Sequence, residues 1–123
     1  MPSRILLVDQ EEKFQQALAK RLEIAGFPVE ILTDASEALP FIEGSDVDVL
    51  ILGDPDDGAN FLGLLAEIKR LKPHVAIIIL TPHVSSDYAI KAMKLGVYDC
   101  LPKPTNIGEL IERINEAVSG KPL

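Results

Sequence analysis

The stretch VDVLILGDPDDG, from Val47 to Gly58, places an apolar run directly before an acidic loop that is bounded by glycines. Its first six residues predict a buried strand that ends at Leu52 and Gly53. The carboxylates of the loop follow only after that strand end. Whether this loop is a chemical site therefore depends on the residues that the rest of the chain brings beside it.

Short apolar runs alternate with amphipathic stretches along the whole chain. The predicted strands are RILLV at 4–8, PVEIL at 28–32, VDVLIL at 47–52, VAIIIL at 75–80 and YDCL at 98–101. Apolar residues at helical spacing follow each run, as Phe14, Leu18 and Leu22 do after the first, and predict five helices. This alternation favours an α/β fold in which helices cover both faces of one parallel sheet.

Two of the predicted helices carry signals at their starts. Asp34 with Glu37 resembles a capping pair that opens the second helix. Pro40 falls inside that helix, so we expect the helix to be short or kinked. Ser85 or Ser86 is a suitable cap for the fourth helix.

Length and charge limit the classes of protein and partner. The 123 residues include 19 acidic and 12 basic side chains, which gives a net charge of −7. That charge repels phosphate backbones and anionic membranes, so we expect no direct binding to nucleic acid or membrane by this domain.

One cysteine cannot form an internal disulfide, and the apolar runs are too short to span a bilayer. We predict one cytoplasmic domain over 1–123, with SGKPL at 119–123 as a tail or the start of a linker.

Polar residues follow the predicted strands at the edge where parallel sheets bind their ligands. They are Asp9-Gln10-Glu11-Glu12, Gly53-Asp54-Pro55-Asp56-Asp57, Thr81-Pro82 and Lys103-Pro104. Carboxylates suit Mg²⁺, while a hydroxyl and an ammonium group suit phosphoryl oxygens. The composition of this edge is therefore that of a phosphoryl-transfer site.

The chain resembles the receiver domain of bacterial two-component response regulators from end to end. The motifs that carry the resemblance are ILLVDQEEKF, IKRLKP, IIILT, AIKAMKLGVYDCLPKP and IGELIERINEAV. The late Lys-Pro pair at 103–104 is a specific feature of that family. The resemblance implies a flavodoxin-like, doubly wound (βα)5 sheet with strand order 2-1-3-4-5, and a role in phosphorelay signal transduction rather than enzymatic activity.

The resemblance also implies a metal site at an acidic pair after the first strand. Asp9 matches the first member of that pair, but Gln10 stands at the second position. An amide oxygen can bind Mg²⁺ but brings no charge. Since Gly53 also lacks a carboxylate, Asp9 is the one charged family ligand left. We expect weak Mg²⁺ binding at most, and no resident cofactor.

The phosphorylation apparatus of the family is incomplete in this sequence. Counting back from Lys69 in the motif EIK places the acceptor position at Gly53, which has no nucleophile. Pro55 and Pro82 stand where the family donates backbone N–H groups to the phosphoryl oxygens, and proline has none. Thr81 fills the hydroxyl position.

Three further positions follow from the resemblance. Lys103 fills the lysine position, and we expect a cis peptide bond between Lys103 and Pro104. Cys100 stands at the aromatic switch position, where a cysteine is more often a small buried apolar residue than a redox sensor. Without a phosphoryl group, Lys103 is expected to pair with Asp9, or secondly with Asp54, because an unpaired buried charge is costly.

Five departures from the family pattern weaken the same chemistry, while the scaffold pattern is intact; they are Gln10, Gly53, Pro55, Pro82 and Cys100. We therefore predict a degenerate receiver that acts as a phosphorylation-independent protein-interaction module. Its partner would be a histidine kinase, an output domain or another signalling protein. By resemblance, the contact surface is the fourth helix, fifth strand and fifth helix, which could also support a homodimer.

Two other functions stay open at this point. Asp54 could accept a phosphoryl group with Mg²⁺, although side-chain alternation turns it away from the site unless a bulge at Gly53 intervenes. The domain could also sense a small ligand in place of the lost phosphate site. Among the remaining residues, Thr81 could simply bond to backbone, and His74 and His83 are expected at the surface without a metal role.

Overall fold

The computed structural model describes residues 3–53 and 58–120, with side chains described from Phe61 onward in the second range. Strands and helices alternate through both ranges, as the pattern of apolar runs predicted. The predictions that concern Asp54 and Pro55, and the tail beyond Gly120, lie outside the described residues.

All five strands belong to one parallel sheet. The strands are β1 (Ile5–Val8), β2 (Val29–Leu32), β3 (Val49–Gly53), β4 (Ala76–Thr81) and β5 (Asp99–Pro102). Their spatial order is β2-β1-β3-β4-β5, which confirms the flavodoxin-like order 2-1-3-4-5. In register, Leu7 of β1 lies beside Ile51 of β3, and Gly53 lies beside Leu80 of β4. The carboxyl ends of β1, β3, β4 and β5 are therefore neighbours at one edge.

The helices connect these strands in sequence order. They are α1 (Glu12–Ile24), α2 (Ala38–Glu43), α3 (Gly58–Leu71), α4 (Asp87–Lys94) and α5 (Ile107–Val118). Of the two candidate caps of α4, Ser86 is the one used, since its hydroxyl accepts a hydrogen bond from Ala89 N. Asn106 caps α5 in the same way through Glu109 N. These caps fix where the helices begin and hence where the loops at the site edge run.

The second helix differs in detail from the predicted capping pair. The side chain of Asp34 accepts a hydrogen bond from Ser36 N and caps a short 3₁₀ turn over Ala35–Glu37. Glu37 N donates instead to the backbone oxygen of Asp34. The α-helix that follows has six residues, so the prediction of a short helix is confirmed. Pro40 lies in its first turn, where a backbone N–H has no partner within the helix and its loss costs little.

The core has two apolar layers, one on each face of the sheet. Alternation along β3 sends Leu50 and Leu52 to the layer that α2, α3 and α4 cover. Val49 and Ile51 face the opposite layer, beneath α1 and α5. Because both faces are covered, the strands are almost continuously apolar. In β1, β3 and β4 polar side chains therefore occur only at or just beyond the carboxyl ends, where the site lies, whereas the edge strand β2 carries the exposed Glu30.

Candidate functional site at the carboxyl edge of the sheet

The sheet topology brings four of the sequence-predicted residues to the same edge. Asp9 directly follows β1, Gly53 ends β3 and Thr81 ends β4. Lys103 directly follows β5, and its peptide bond to Pro104 is cis, in agreement with the resemblance. Residues from distant parts of the chain thus share one site because parallel strands all end on the same side.

Lys103 and Asp9 form a buried ion pair at the centre of this edge. Lys103 Nζ lies 2.8 Å from Asp9 Oδ2, and the two side chains are only 11% and 3% exposed. The second carboxylate oxygen, Oδ1, accepts a hydrogen bond of 2.8 Å from Glu11 N. The pairing that the sequence suggested is therefore present, and both oxygens of Asp9 are engaged by the protein itself.

Lys103 has two more neighbours that sequence reasoning did not assign to it. Glu11 Oε1 lies 2.7 Å from Nζ, and the Glu11 side chain is 69% exposed. The Phe14 ring centroid lies 4.6 Å from Nζ, within cation–π range. The available signal was positional, because Glu11, the N-cap residue of α1, and Phe14 in its first turn follow Asp9 closely in the chain.

The two carboxylates control the protonation of Lys103. Burial acts to lower the pKa of the ammonium group, because it disfavours the charged form. The hydrogen bonds and charges of Asp9 and Glu11 act in the opposite sense and outweigh burial, so the pKa of Lys103 lies above the ordinary value. Lys103 is therefore a permanent cation at neutral pH.

Gly53 leaves room that the Asp9 carboxylate uses. A Cβ atom added to Gly53 would lie 2.5 Å from Asp9 Cγ, and closer still to Oδ2. Real Cβ atoms essentially never approach other atoms so closely. Asp9 itself is 5% exposed and held by hydrogen bonds, so it has little freedom to withdraw. In this conformation, the acceptor position is compatible with glycine alone.

Thr81 is occupied by the local backbone. It is 1% exposed, and its Oγ1 accepts a hydrogen bond of 3.0 Å from His83 N. The neighbouring Pro82 is exposed and has no N–H to donate. The reading of Thr81 as a hydroxyl that bonds to backbone at its strand end therefore matches the observed contact.

The donor set that the described residues supply at this edge does not fit Mg²⁺. Both oxygens of Asp9 already accept hydrogen bonds, from Lys103 and from Glu11 N. Gln10 is exposed, and Gly53 has no side chain to offer. In residues 3–53 and 58–120, no group of three or more His, Cys, Asp or Glu side chains is arranged to hold a metal ion. Hard divalent cations need several oxygen ligands, and the described part of the chain does not supply them in this conformation.

Cys100, at the family switch position, packs beneath α4. The residue is half-buried against the layer that α2–α4 cover, and its Sγ lies 4.0 Å from Ala89 O. Tyr88 of α4 packs against Phe61 of α3, with ring centroids 6.4 Å apart. Cys100 thus packs against the same apolar layer as Tyr88.

One buried polar residue near the site had not been singled out from the sequence. Gln15 of α1 is 1% exposed, and its Nε2 donates to Leu7 O and Leu32 O. These bonds tie α1 to the ends of β1 and β2. A glutamine one position after Phe14, within the apolar stripe of α1, was the signal that could have identified it.

The fold and this strand-end site together define a receiver-type signalling module, and comparison with known proteins agrees. The sequence model of the response regulator receiver domain matches residues 5–115. The chain therefore belongs to the response regulator receiver domain family of two-component systems. Receiver domains are signalling modules rather than classical enzymes. Among residues 3–53 and 58–120, no helix combines the length and apolar character needed to cross a membrane.

The chain is similar to one part of two longer regulators. It is 32% identical over 118 residues to an NtrX-like response regulator of Rickettsia typhi, covering 92% of this chain and 24% of that protein. It is 30% identical over 115 residues to the DNA-binding transcriptional regulator NtrC of Escherichia coli, covering 94% and 24%. The chain thus spans about a quarter of the length of these relatives.

A solved receiver structure shows the same architecture. The receiver domain protein of Clostridium thermocellum superposes with a TM-score of 0.84 at 36% identity. The match covers 96% of this chain and 95% of that one. The fold similarity therefore extends over nearly the whole of both chains.

Proposed function

We propose that this receiver domain works as a protein-interaction module that accepts no phosphoryl group. The observation that carries the proposal is the placement of the Asp9 carboxylate over Gly53, where the side chain of an acceptor would begin. The position has no nucleophile, and the nearby space is already taken by a carboxylate paired with Lys103. We take the edge to be a degenerate phosphorylation site, with Asp9, Gln10, Gly53, Asp54, Thr81 and Lys103 as its residues.

The state of the other groups supports the same proposal. A phosphoryl group needs donors for its three oxygens and a metal ion to offset its charge. Pro82 supplies no N–H, and Lys103 already meets two carboxylates. The edge therefore offers fewer donors to phosphoryl oxygens, and fewer carboxylates to a metal ion, than phosphoryl binding requires. We propose that function requires no Mg²⁺.

For the contact surface we propose α4, β5 and α5. Ile90 and Met93 of α4 and Val118 of α5 are exposed apolar side chains on these elements. Lys91 and Lys94 add positive charge on α4 in a chain of net charge −7. Apolar groups ringed by charge are typical of protein interfaces. The partner would be a histidine kinase, an output domain, another signalling protein or a second copy of this chain.

The similarity to a DNA-binding regulator raises the question of whether this domain itself contacts nucleic acid. The Escherichia coli relative is a DNA-binding transcriptional regulator about four times the length of the matched region. We propose that this domain, whatever larger protein it acts in or with, contributes no direct nucleic-acid contact, because its charge of −7 opposes phosphate backbones. We also propose that it acts in the cytoplasm.

The test is chemical. The protein is incubated with acetyl phosphate and Mg²⁺ beside a phosphorylation-competent receiver domain, and both are measured by intact mass spectrometry. We expect the mass of this protein to stay unchanged while the competent receiver gains a phosphoryl group. That control establishes that the donor and the metal were active.

An Asp54→Asn variant resolves the rival function in which Asp54 accepts the phosphoryl group. A base-labile phosphoryl adduct on the native protein that disappears in this variant would overturn the proposal and establish Asp54 as the acceptor. An adduct that persists in the variant would overturn it as well and locate the nucleophile elsewhere.

A further inference from the structure

A groove lies beside Lys103, on the outer side of the ion pair. Its volume is about 410 Å³, and it is lined by Glu11, Phe14, Pro82, Lys103 and Pro104. Small-molecule sites typically enclose roughly 300–1,000 Å³. The groove is therefore large enough for a compact organic molecule, and the proposed interaction surface on α4–β5–α5 does not use it.

The chemistry of the lining is asymmetric. One aromatic ring and two proline rings form its apolar part, from Phe14, Pro82 and Pro104. The polar part is the Lys103 ammonium group with the Glu11 carboxylate beside it. A cation next to an apolar wall matches a molecule that combines an anionic end with an apolar body.

The two carboxylates on Lys103 differ in how easily they can be exchanged. Asp9 is 3% exposed and fixed by a second hydrogen bond, so it is a permanent partner. Glu11 is 69% exposed, and its side chain makes no capping hydrogen bond to α1. A solvated ion pair of this kind contributes little to stability. Another carboxylate can therefore take the place of Glu11 on Lys103 at small cost.

We propose that this groove binds a small carboxylic acid with an aromatic body. The carboxylate of the ligand replaces Glu11 on Lys103 Nζ, and the ring packs against Phe14, Pro82 and Pro104. A second depression of about 250 Å³ shares Phe14 and continues along α1 to Arg21, so a ligand longer than one ring also has room.

The surroundings favour a carboxylate over a phosphate. A carboxylate carries one negative charge, so when it replaces Glu11 the number of charges around Lys103 stays the same. A phosphate dianion would meet the fixed charge of Asp9 and the nearby charge of Glu11. It would also lack a backbone donor at Pro82. The site therefore differs in ligand class from a phosphoryl site, although it uses the same lysine.

Binding is tested by titrating ¹⁵N-labelled protein with 3-phenylpropionate and following the amide signals by NMR. We expect saturable shifts that centre on Glu11, Phe14 and Lys103. The neutral analogue 3-phenylpropan-1-ol should bind much more weakly, because it cannot pair with Lys103. Inorganic phosphate should neither shift these amides in a saturable way nor displace the acid.

Matched variants distinguish an effect of side chains that contact the ligand from an effect of the overall charge of the protein. Glu11→Gln removes the competing carboxylate, and we expect affinity for 3-phenylpropionate to rise by up to about fivefold, which corresponds to the upper limit for a solvated ion pair. Glu12→Gln removes the same charge one residue away, outside the groove lining, and should change affinity much less. Phe14→Ala should weaken binding by removing the apolar wall.

Three results would overturn the assignment. They are the absence of saturable binding at millimolar acid, equal effects of Glu11→Gln and Glu12→Gln, and phosphate binding as tight as that of the acid. Glu11→Gln and Phe14→Ala both keep the Asp9–Lys103 pair, so they do not depend on whether a Lys103 variant folds. The outcome is also independent of the acetyl phosphate test, which concerns Gly53 and Asp54.

Discussion

The Asp9–Lys103 and Asp99–Arg113 ion pairs both join β5 or its extension to another element, but in very different surroundings. At the carboxyl edge, Lys103 meets Asp9 at 2.8 Å with side chains 11% and 3% exposed. On the α4–β5–α5 surface, Arg113 of α5 meets Asp99 of β5 at 3.2 Å with side chains 26% and 21% exposed. The first pair is largely withdrawn from water, whereas the second keeps contact with it.

The difference in solvation explains how the two regions can serve different purposes. A desolvated pair is costly to break, because removal of one partner leaves a buried charge uncompensated. A solvated pair can be broken and remade at little cost. The Asp9–Lys103 pair is therefore held in one arrangement, while the α4–β5–α5 surface stays free to exchange its contacts with a partner. The predictions below test this contrast in order of decreasing effect.

The largest effect is expected from loss of Asp9. Asp9→Ala leaves Lys103 without its buried partner and should lower the free energy of unfolding by about 3–5 kcal/mol, near the lower end because Glu11 remains in reach. Urea denaturation measures this change. A double-mutant cycle with Lys103→Ala gives the coupling energy of the pair. If the stability losses of the two single variants simply add, the Asp9–Lys103 pair is solvated and does not differ in kind from the Asp99–Arg113 pair.

A side chain at Gly53 should have the next largest effect. Gly53→Ala forces a Cβ against the Asp9 carboxylate, and such overpacking costs about 1–3 kcal/mol of folding stability. Gly63 of α3 is the matched control, because a Cβ there would meet no atom within 4 Å. Gly63→Ala should stabilise the protein, since alanine is the better helix former, by about 0.5–1 kcal/mol. Equal effects of the two substitutions in denaturation would contradict the close approach of Asp9.

Restoring an aspartate should not restore phosphorylation. Gly53→Asp places a second carboxylate against Asp9, without adding a donor at Pro82 or a charge at Gln10. We expect destabilisation and no mass gain with acetyl phosphate and Mg²⁺. A stable variant that gains a phosphoryl group would show that Asp9 withdraws readily, and that the site is held less firmly than its contacts indicate.

Raising the pH into the alkaline range should reduce the contribution of Lys103 to the free energy of unfolding. The reduction should be gradual and smaller than the effects of substituting Asp9 or Gly53. The folded protein raises the pKa of Lys103 above the ordinary value of 10.5. The resulting stability is fully present below that value and is lost as pH rises through the raised pKa. The difference in unfolding free energy between native protein and Lys103→Met should thus be constant from pH 7 to about pH 10 and shrink above that range. A constant difference at higher pH would exclude a protonation-dependent pair.

The smallest effect is expected at the surface pair. Asp99→Ala and Arg113→Ala should each change stability by about 0–1 kcal/mol, with a coupling energy in the same range. Added salt should reduce even that coupling, because solvent-exposed charges are screened. A coupling as large as that of Asp9 with Lys103 would mean that this surface is as fixed as the strand-end site.

The sequence alone was sufficient for the fold. The spacing of apolar residues is a local property of the chain, so the alternating runs predicted strands and helices before any contact was known. Small errors occurred where a local cue allowed two partners. The Asp34 side chain bonds to Ser36 N, while Glu37 N bonds to the backbone oxygen of Asp34. Each strand also begins one or two residues after its predicted start.

The sequence also established what Gly53, Pro82 and Gln10 cannot do, because the lack of a nucleophile, of an N–H group or of a charge is a property of the residue itself. Only the tertiary structure decided what occupies the space instead. Asp9 and Lys103 are separated by 94 positions in the chain, and their contact depends on β1 and β5 ending at the same edge. The placement of Asp9 over Gly53, and of Glu11 and Phe14 around Lys103, follows from side-chain orientations that packing fixes and local sequence does not encode.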